Sequence, residues 1–481
     1  MFQKVLLSII LFCAISIVAF FLIIKVIDFN EYKPRIQKAI KDNTGYELII
    51  KGDITLSLSP VGVRIFDIEV RNPQYKSETS FATLGSFDVA LEIAPLLKKE
   101  IKIKHVSFEK LNVMIEKNKD GRFNFDLVSP KPKSDKKPKE HNTTLEQDDD
   151  FPLVNIKKIK FSEANLSYLD GETNTTSKAE KINLSVHDIH FDAMKHNKLQ
   201  GLFLKGDAQI EKLSHGAKFI SDISMNLEMK DAIVAMENLK YILFDSTLQG
   251  SGKLDLSGKI TKISLKHKVA ELKLQPFSKA LFGKELLDGQ ASGELKLACS
   301  LGDIQTIKST LGGFIVLAGE NVTLKGYDID KIASALSDST SFNLANLLLG
   351  VSGNFEGNSS VLKSVMAKVD IDYSEAKLTD VALSSTKHRI ALKGALQIIE
   401  EKFLDVKVAL LDTKGCAHFE QTIVGTFQKP KLKVDETTIN TIANAALSLL
   451  GKSKKTQPEE LKKDENCVPF YEGVVKHPEM K

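Results

Sequence analysis

The sequence predicts a mainly β protein: an N-terminal transmembrane helix, then a long, curled, mostly antiparallel β-sheet with a groove-like apolar face and a few short amphipathic helices. Three observations predict it. Residues 5–24 carry no charge, no Pro and no Gly. After Tyr46, apolar and polar residues alternate over most of the chain, the period of strands with one buried and one wet face. Within that stretch only 275–283, 327–349 and 436–450 show helical spacing. Three short helices cannot cover so much sheet, so either two sheets pack face to face or one curled sheet leaves an apolar interior for something else.

In order, 5–24 (VLLSIILFCAISIVAFFLII) comes first, and at about 1.5 Å per residue a helix of that length spans a hydrocarbon core of about 30 Å. A cleaved signal peptide would have a shorter apolar run ending in a small-x-small site, whereas this run continues to Ile24 and meets Lys25. Lys4 precedes it, and Lys25, Lys33, Arg35 and Lys38 follow, a count that would keep the body in the cytoplasm. Long domains translocate largely regardless of charge, so the flanks leave the side undecided. Residues 32–45 have a helix's punctuation: Pro34 suits the first turn, Ile36, Ala39 and Ile40 share a face, and Gly45 stops it, with basic residues toward lipid headgroups.

Strand alternation starts at 48–58 and returns at Ile101, Ile103, Val106 and Phe108, then at Leu111, Val113 and Ile115. Ile101, Ile103, Val106 and Phe108 are the candidate lining of a lipid groove, with Lys102 on the wet side. Asp120-Gly121 gives a turn, after which Phe123 and Phe125 resume the alternation. From Val128 to Asp150, prolines and charges of both signs predict a disordered linker, its Asp148–Asp150 triplet solvated. Strands follow at 156–168, 182–191, 202–210, 223–229 and 263–274, many opening on Gly. The expected organisation is anchor 1–27, helix and strands 28–127, linker 128–152, elongated sheet 153–450, and charged linker and tail 451–481.

Chemistry is harder to find. A net charge of +4, from 66 basic and 62 acidic residues, gives no reason to expect nucleic acid. Residues 250–258 resemble a phosphate loop, but Thr247 stands where Gly is needed and Leu254 where Ser or Thr is needed, in strand periodicity. Asp188, His190 and Asp192 belong to the wet side of a strand rather than to a metal site. No nucleophile elbow and no His-Glu-x-x-His pair occurs, so neither an enzyme nor a cofactor is expected. Four cysteines are too few for a disulfide scaffold and lack zinc spacing; Cys13 falls in the apolar run, leaving Cys299, Cys416 and Cys467.

Several short pieces occur in a specific order: Asp28-Phe-Asn-Glu-Tyr-Lys-Pro34, Thr44-Gly-Tyr-Glu-Leu48, Gly52-Asp-Ile-Thr-Leu56, Val70-Arg-Asn-Pro73, Ala94-Pro-Leu-Leu-Lys98 and Asp120-Gly-Arg-Phe-Asn-Phe125. Later come Leu274-Gln-Pro-Phe277, Leu311-Gly-Gly313, Asn321 to Ile329 and Gly415-Cys416 through Pro430. In these the chain resembles the AsmA family of envelope proteins of Gram-negative bacteria. That resemblance implies an inner-membrane anchor with a periplasmic body, a role in outer-membrane biogenesis, and kinship to bridge-like lipid-transfer proteins. Phospholipid and other envelope proteins become the expected partners, and a non-enzymatic scaffold or regulator of outer-membrane protein assembly is the alternative. It supplies no catalytic residues. Members resembling this chain carry cysteines in the contexts of Cys416 and Cys467, which implies a bond between them; Cys299 is the rival partner or a buried free thiol.

Overall fold

Alternation does fold as strand: 22 strands occur among the described residues, with only short helices. The computed structural model describes residues 28–58, 61–75, 80–92, 95, 102–127, 156–192, 198–338, 359–433 and 467–480. The apolar run 5–24, the expected linker 128–152, Ile101, residues 94 and 96–98, the expected helix 436–450 and the charged segment 451–466 lie outside them. Among the described residues no helix is long and apolar enough to cross a membrane. The chain divides into two units, Met1–Asp231 and Ala232–Lys481.

In the first unit a short turn of helix, Phe29–Tyr32, is capped by Asp28, whose carboxylate accepts from the Asn30 amide. It leads into α1 (Lys33–Thr44), with Pro34 in its first turn and Gly45 closing it at φ 78°. β1 (Glu47–Ile50) and β2 (Ile54–Leu58) both pair with β3 (Val61–Arg71), and β3 pairs with β4 (Ala82–Leu91). β5 (Ile103–Glu109) and β6 (Asn112–Lys117) share the next lane. β7 (Lys158–Asp170) runs parallel to both, so the sequence on either side of 128–152 belongs to one sheet. β8 (Thr175–Phe191), a single helical turn α2 (Lys198–Gly201), β9 (Leu202–His215) and β10 (Lys218–Lys230) complete it, the strands pairing antiparallel.

Phe123 and Phe125 do not resume a strand. Phe123 makes one isolated bridge to Lys117 and Phe125 lies in a turn, their rings stacked at 5.1 Å. Asparagine side chains take the ladder's place: Asn124 donates to the Met114 carbonyl and accepts from the Glu116 amide, and Asn72 donates to the carbonyls of Asn124 and Asp126.

The second unit is an antiparallel meander. β11 (Ile233–Leu243), β12 (Ser246–Asp255), β13 (Lys262–Lys273), β15 (Gln290–Ser300) and β16 (Gly312–Leu324) pair in turn, with α3 (Leu274–Phe282), the two-residue β14 (Leu287–Asp288) and α4 (Ile304–Lys308) between them. After α5 (Ile329–Asp338), the series runs through β17 (Ser360–Asp372), β18 (Glu375–Ser384), β19 (Arg389–Gln397), β20 (Lys402–Leu411), β21 (Ala417–Thr426) and β22 (Pro430–Lys433).

A line of left-handed residues crosses the first unit. Asp67, Lys110, Glu163, Lys181 and Asp222 have φ between 49° and 54° inside otherwise extended lanes. They fall in register: Lys110 follows Glu109, which pairs with Ser162, the residue before Glu163. Moving φ from about −140° to about +50° turns the chain by roughly half a revolution, which inverts the alternation of side chains. The apolar parity inverts at the same places, from Val106 and Phe108 to Val113 and Ile115, and from Ile159 and Phe161 to Ala164 and Leu166. One apolar face therefore persists along each strand, and Asn238, Asn321 and Asp405 do the same in the second unit.

This reverses the usual ranking of strand residues. At Glu163 a left-handed L-residue costs roughly 1–2 kcal/mol, which Gly would relieve and a β-branched side chain would worsen. Glu163→Gly is expected to keep or raise the denaturation midpoint and Glu163→Val to lower it. Equal midpoints would mean that the left-handed backbone does not govern the site.

Candidate functional site: an apolar ladder

Register, strand by strand, assembles the site in the first unit. One row runs Ile54, Ile65, Phe87, Phe108, Phe161, Leu184, Ala208, Met225, each residue paired with the next. Two positions along each strand, a second runs Leu56, Val63, Val89, Val106, Ile159, Val186, Gly206, Leu227. Between them, on the opposite face, lies Thr55, Arg64, Asp88, Ser107, Lys160, Ser185, Asp207, Asn226. Side chains alternate faces, so one face carries two wholly apolar rows and the other a wholly polar one.

Within the polar row Arg64 pairs with Asp88 and Asn226 with Asp207. Arg64 donates to Asp88 at 2.9 Å, His105 sits 3.1 Å from the other Asp88 oxygen, and Asn226 donates to Asp207 at 2.6 Å. The apolar rows are held by cross-strand packing, above all Phe87, Phe108 and Phe161, with ring centroids 5.2 and 4.7 Å apart. Yet most of these side chains are only half-buried: Val63 is 38 % exposed, and Ile54, Val106 and Ala208 are the fully buried side chains of the two rows. Helical elements of this unit lie against β1, β2 and β9.

Of the candidate groove residues, Val106 and Phe108 stand in these rows, and Ile103 pairs with Leu91 beyond an irregularity in the ladder between Ala90 and Leu91. Ile101 lies outside the described residues. The other rungs were hidden in the sequence because only register aligns them; the signal that was there is the polar doublet, such as Glu109-Lys110, Ser162-Glu163 or Ser221-Asp222, that marks several of the changes of parity, though not those at Asp67 and Asp405.

In the second unit much of the apolar face is closed by protein. Leu248, Val269, Leu272, Ala291, Val322 and Leu362 form a buried cluster with Leu274 and Phe277 of α3 and Ile329 of α5. Another gathers Leu378, Val406 and Ile423. Glycines make room for it: a Cβ at Gly293 would stand 2.7 Å from Leu317 Cδ2. Cys299 pairs with Ile263 in this unit, and burial raises its thiol pKa.

His267 is the exception. It pairs with Gly250 and Leu295, is 1 % exposed, and neither ring nitrogen has a hydrogen-bond partner among the described residues. The Tyr241 ring stands edge-on to it at 5.1 Å, its phenol pushed up to about 12 by burial. Burial holds the imidazole pKa below its ordinary 6.5, so as pH falls through that value the unfolded chain takes up the proton first and stability is lost. An unmet buried donor costs about 1–3 kcal/mol, so His267→Leu is expected to stabilise the protein in urea titrations and to flatten the decline between about pH 7.5 and 5.5. His477, likewise lowered by burial, keeps its own share of that decline.

On the opposite face of the second unit the C-terminal segment 467–480 packs against β18–β20. Cys467 is bonded to Cys416, with Cα atoms 6.2 Å apart. Tyr471 and Val475 bury themselves over Ala382, Ala391 and Ala409, whose small side chains leave room for them. As for metals, no group of three His, Cys, Asp or Glu side chains among the described residues is placed to hold one.

A family model described as the AsmA family matches residues 1–209 and 204–380. The match takes in the middle of the chain, where the quoted pieces are absent, and ends before Gly415 to Pro430. Comparison with curated proteins returns no match.

Proposed function

The chain belongs to the AsmA family, and from that premise we propose that it is a non-enzymatic carrier of phospholipid, anchored in the Gram-negative inner membrane with its body in the periplasm and acting in outer-membrane biogenesis. The observation that carries this reading is the pair of apolar rows crossing the first unit, half-buried, with a polar row between them on the opposite face. An acyl chain laid across the rungs gains about 0.8 kcal/mol for each CH₂ removed from water, while its headgroup keeps its hydration. Residues 5–24 supply the anchor.

A second reading, a scaffold for outer-membrane protein assembly, has one observation in its favour: the second unit fills its apolar face with its own side chains. Mass spectrometry of gently extracted protein separates the two. Phospholipid retained in stoichiometric amount supports carriage; folded protein free of lipid supports the scaffold.

A further inference from the structure

α1 meets the sheet through polar contacts and seals none of its apolar side chains. An amphipathic helix ordinarily buries its apolar side. Here no residue of α1 is buried, and the contacts toward the sheet are polar: Gln37 accepts from the Ile50 amide at 3.2 Å, while Lys33 and Lys41 reach Asp53 and Glu47 at 3.7 and 2.8 Å. Its apolar side chains are not sealed either: Ile36 is half-buried, as Lys33 and Gln37 are, and Ala39 and Ile40 are exposed. Ile40 is 36 % exposed, and Tyr32, at the start of the helix, 47 %.

We propose that the exposed side of α1 lies in the headgroup layer of a leaflet containing anionic phospholipid, an inference that rests on residues 5–24 spanning the membrane. Four residues, 25–28, separate Ile24 from the first helical turn, and at about 3.5 Å each they reach no more than about 15 Å. The helix cannot leave the membrane surface. Arg35 and Lys38 supply the charge complementarity to anionic headgroups, with the Arg35 guanidinium 5.9 Å above the Tyr32 ring. The other side of the same helix region holds the end of the ladder, because Asn30 accepts from the amide of Ile54, the first rung, at 3.0 Å. α1 thus sets β1 and β2 beside the leaflet, so that a lipid leaving it meets the β2 end of the two rows first.

The chain contains no Trp, so one introduced at an exposed position reports alone. Full-length Ile40→Trp, with Tyr32→Trp as a second position, is compared with Ile260→Trp, a 52 % exposed site in the second unit, in vesicles of brominated phosphatidylcholine with and without phosphatidylglycerol. Emission from positions 40 and 32 is expected to be quenched about twofold and blue-shifted, more so with phosphatidylglycerol, while position 260 is not quenched. Arg35→Glu with Lys38→Glu should abolish the phosphatidylglycerol-dependent part. Quenching at 40 and 32 no greater than at 260 overturns the proposal. Phospholipid counted in the same preparations keeps the two readings apart: lipid still bound with no quenching rejects the placement of α1 alone, and quenching without bound lipid rejects carriage alone.

Discussion

Replacing Phe108 with Lys is expected to strip phospholipid from the extracted protein, whereas the same substitution at its neighbour Ser107 leaves it bound. The two positions are adjacent in β5 and receive the same charge, but Phe108 stands in an apolar row between Phe87 and Phe161, and Ser107 in the polar row between Asp88 and Lys160. A lysine at 108 would place an ammonium among acyl chains, a loss of several kcal/mol of binding that the snorkelling of its stem offsets only in part. At 107 the new ammonium meets the Asp88 carboxylate. Stability is the confounding quantity, since truncating a packed Phe costs about 3–5 kcal/mol. Phe108→Leu resolves it: that variant loses the stacked rings yet keeps the row apolar, so it should be less stable than wild type and still carry lipid. Equal lipid content in the two lysine variants, both folded, would remove the ladder from the function.

What made Phe108 a candidate was legible in the sequence, and what makes it one rung of sixteen was not. Alternation through Val106 and Phe108 announces a half-buried strand whatever lies beside it. Which residues stand next to Phe108 depends on register, and Phe161 arrives by a parallel pairing whose place in a mostly antiparallel sheet alternation does not reveal. The parity change at Lys110 looked like the end of one strand and the start of another, although both halves share a lane. α1 was readable because Pro34 and Gly45 are local signals. That it meets the sheet through polar contacts was not, because Gln37 bonds to a backbone amide of a strand that composition does not reveal. His267 carried no signal at all, since a lone histidine within an alternating strand has the same pattern whether its face is wet or sealed.

Cys467→Ser is expected to lower the stability of the second unit by up to about 4 kcal/mol, the chain-entropy value of closing a loop whose ends are 51 residues apart. The tail is also held without the bond. The Tyr471 hydroxyl donates to Asp380 at 2.5 Å and accepts from the Val475 amide, while Arg389, 5 % exposed, donates to the carbonyls of Val475 and Asp412. Gly415 belongs to the same joint: its φ is 90°, and a Cβ there would stand 2.3 Å from the Tyr471 carbonyl oxygen. Covalent and non-covalent parts therefore separate by measurement. Cys467→Ser and reduced wild type should share one lowered urea midpoint, with trypsin still slow to cut after Lys476 because the segment stays docked. Ala391→Leu, with the bond intact, puts a larger side chain under Tyr471 and Val475; overpacking costs about 1–3 kcal/mol, and cleavage after Lys476 should accelerate. A Cys467→Ser protein as stable as wild type would deny the bond any share in stability. The same bond tests compartment, because disulfides persist in the periplasm and rarely in cytosol. Peptide mapping of protein taken from cells with thiols blocked at lysis should recover Cys416 joined to Cys467 and Cys299 free; free thiols at both 416 and 467 would contradict a periplasmic body.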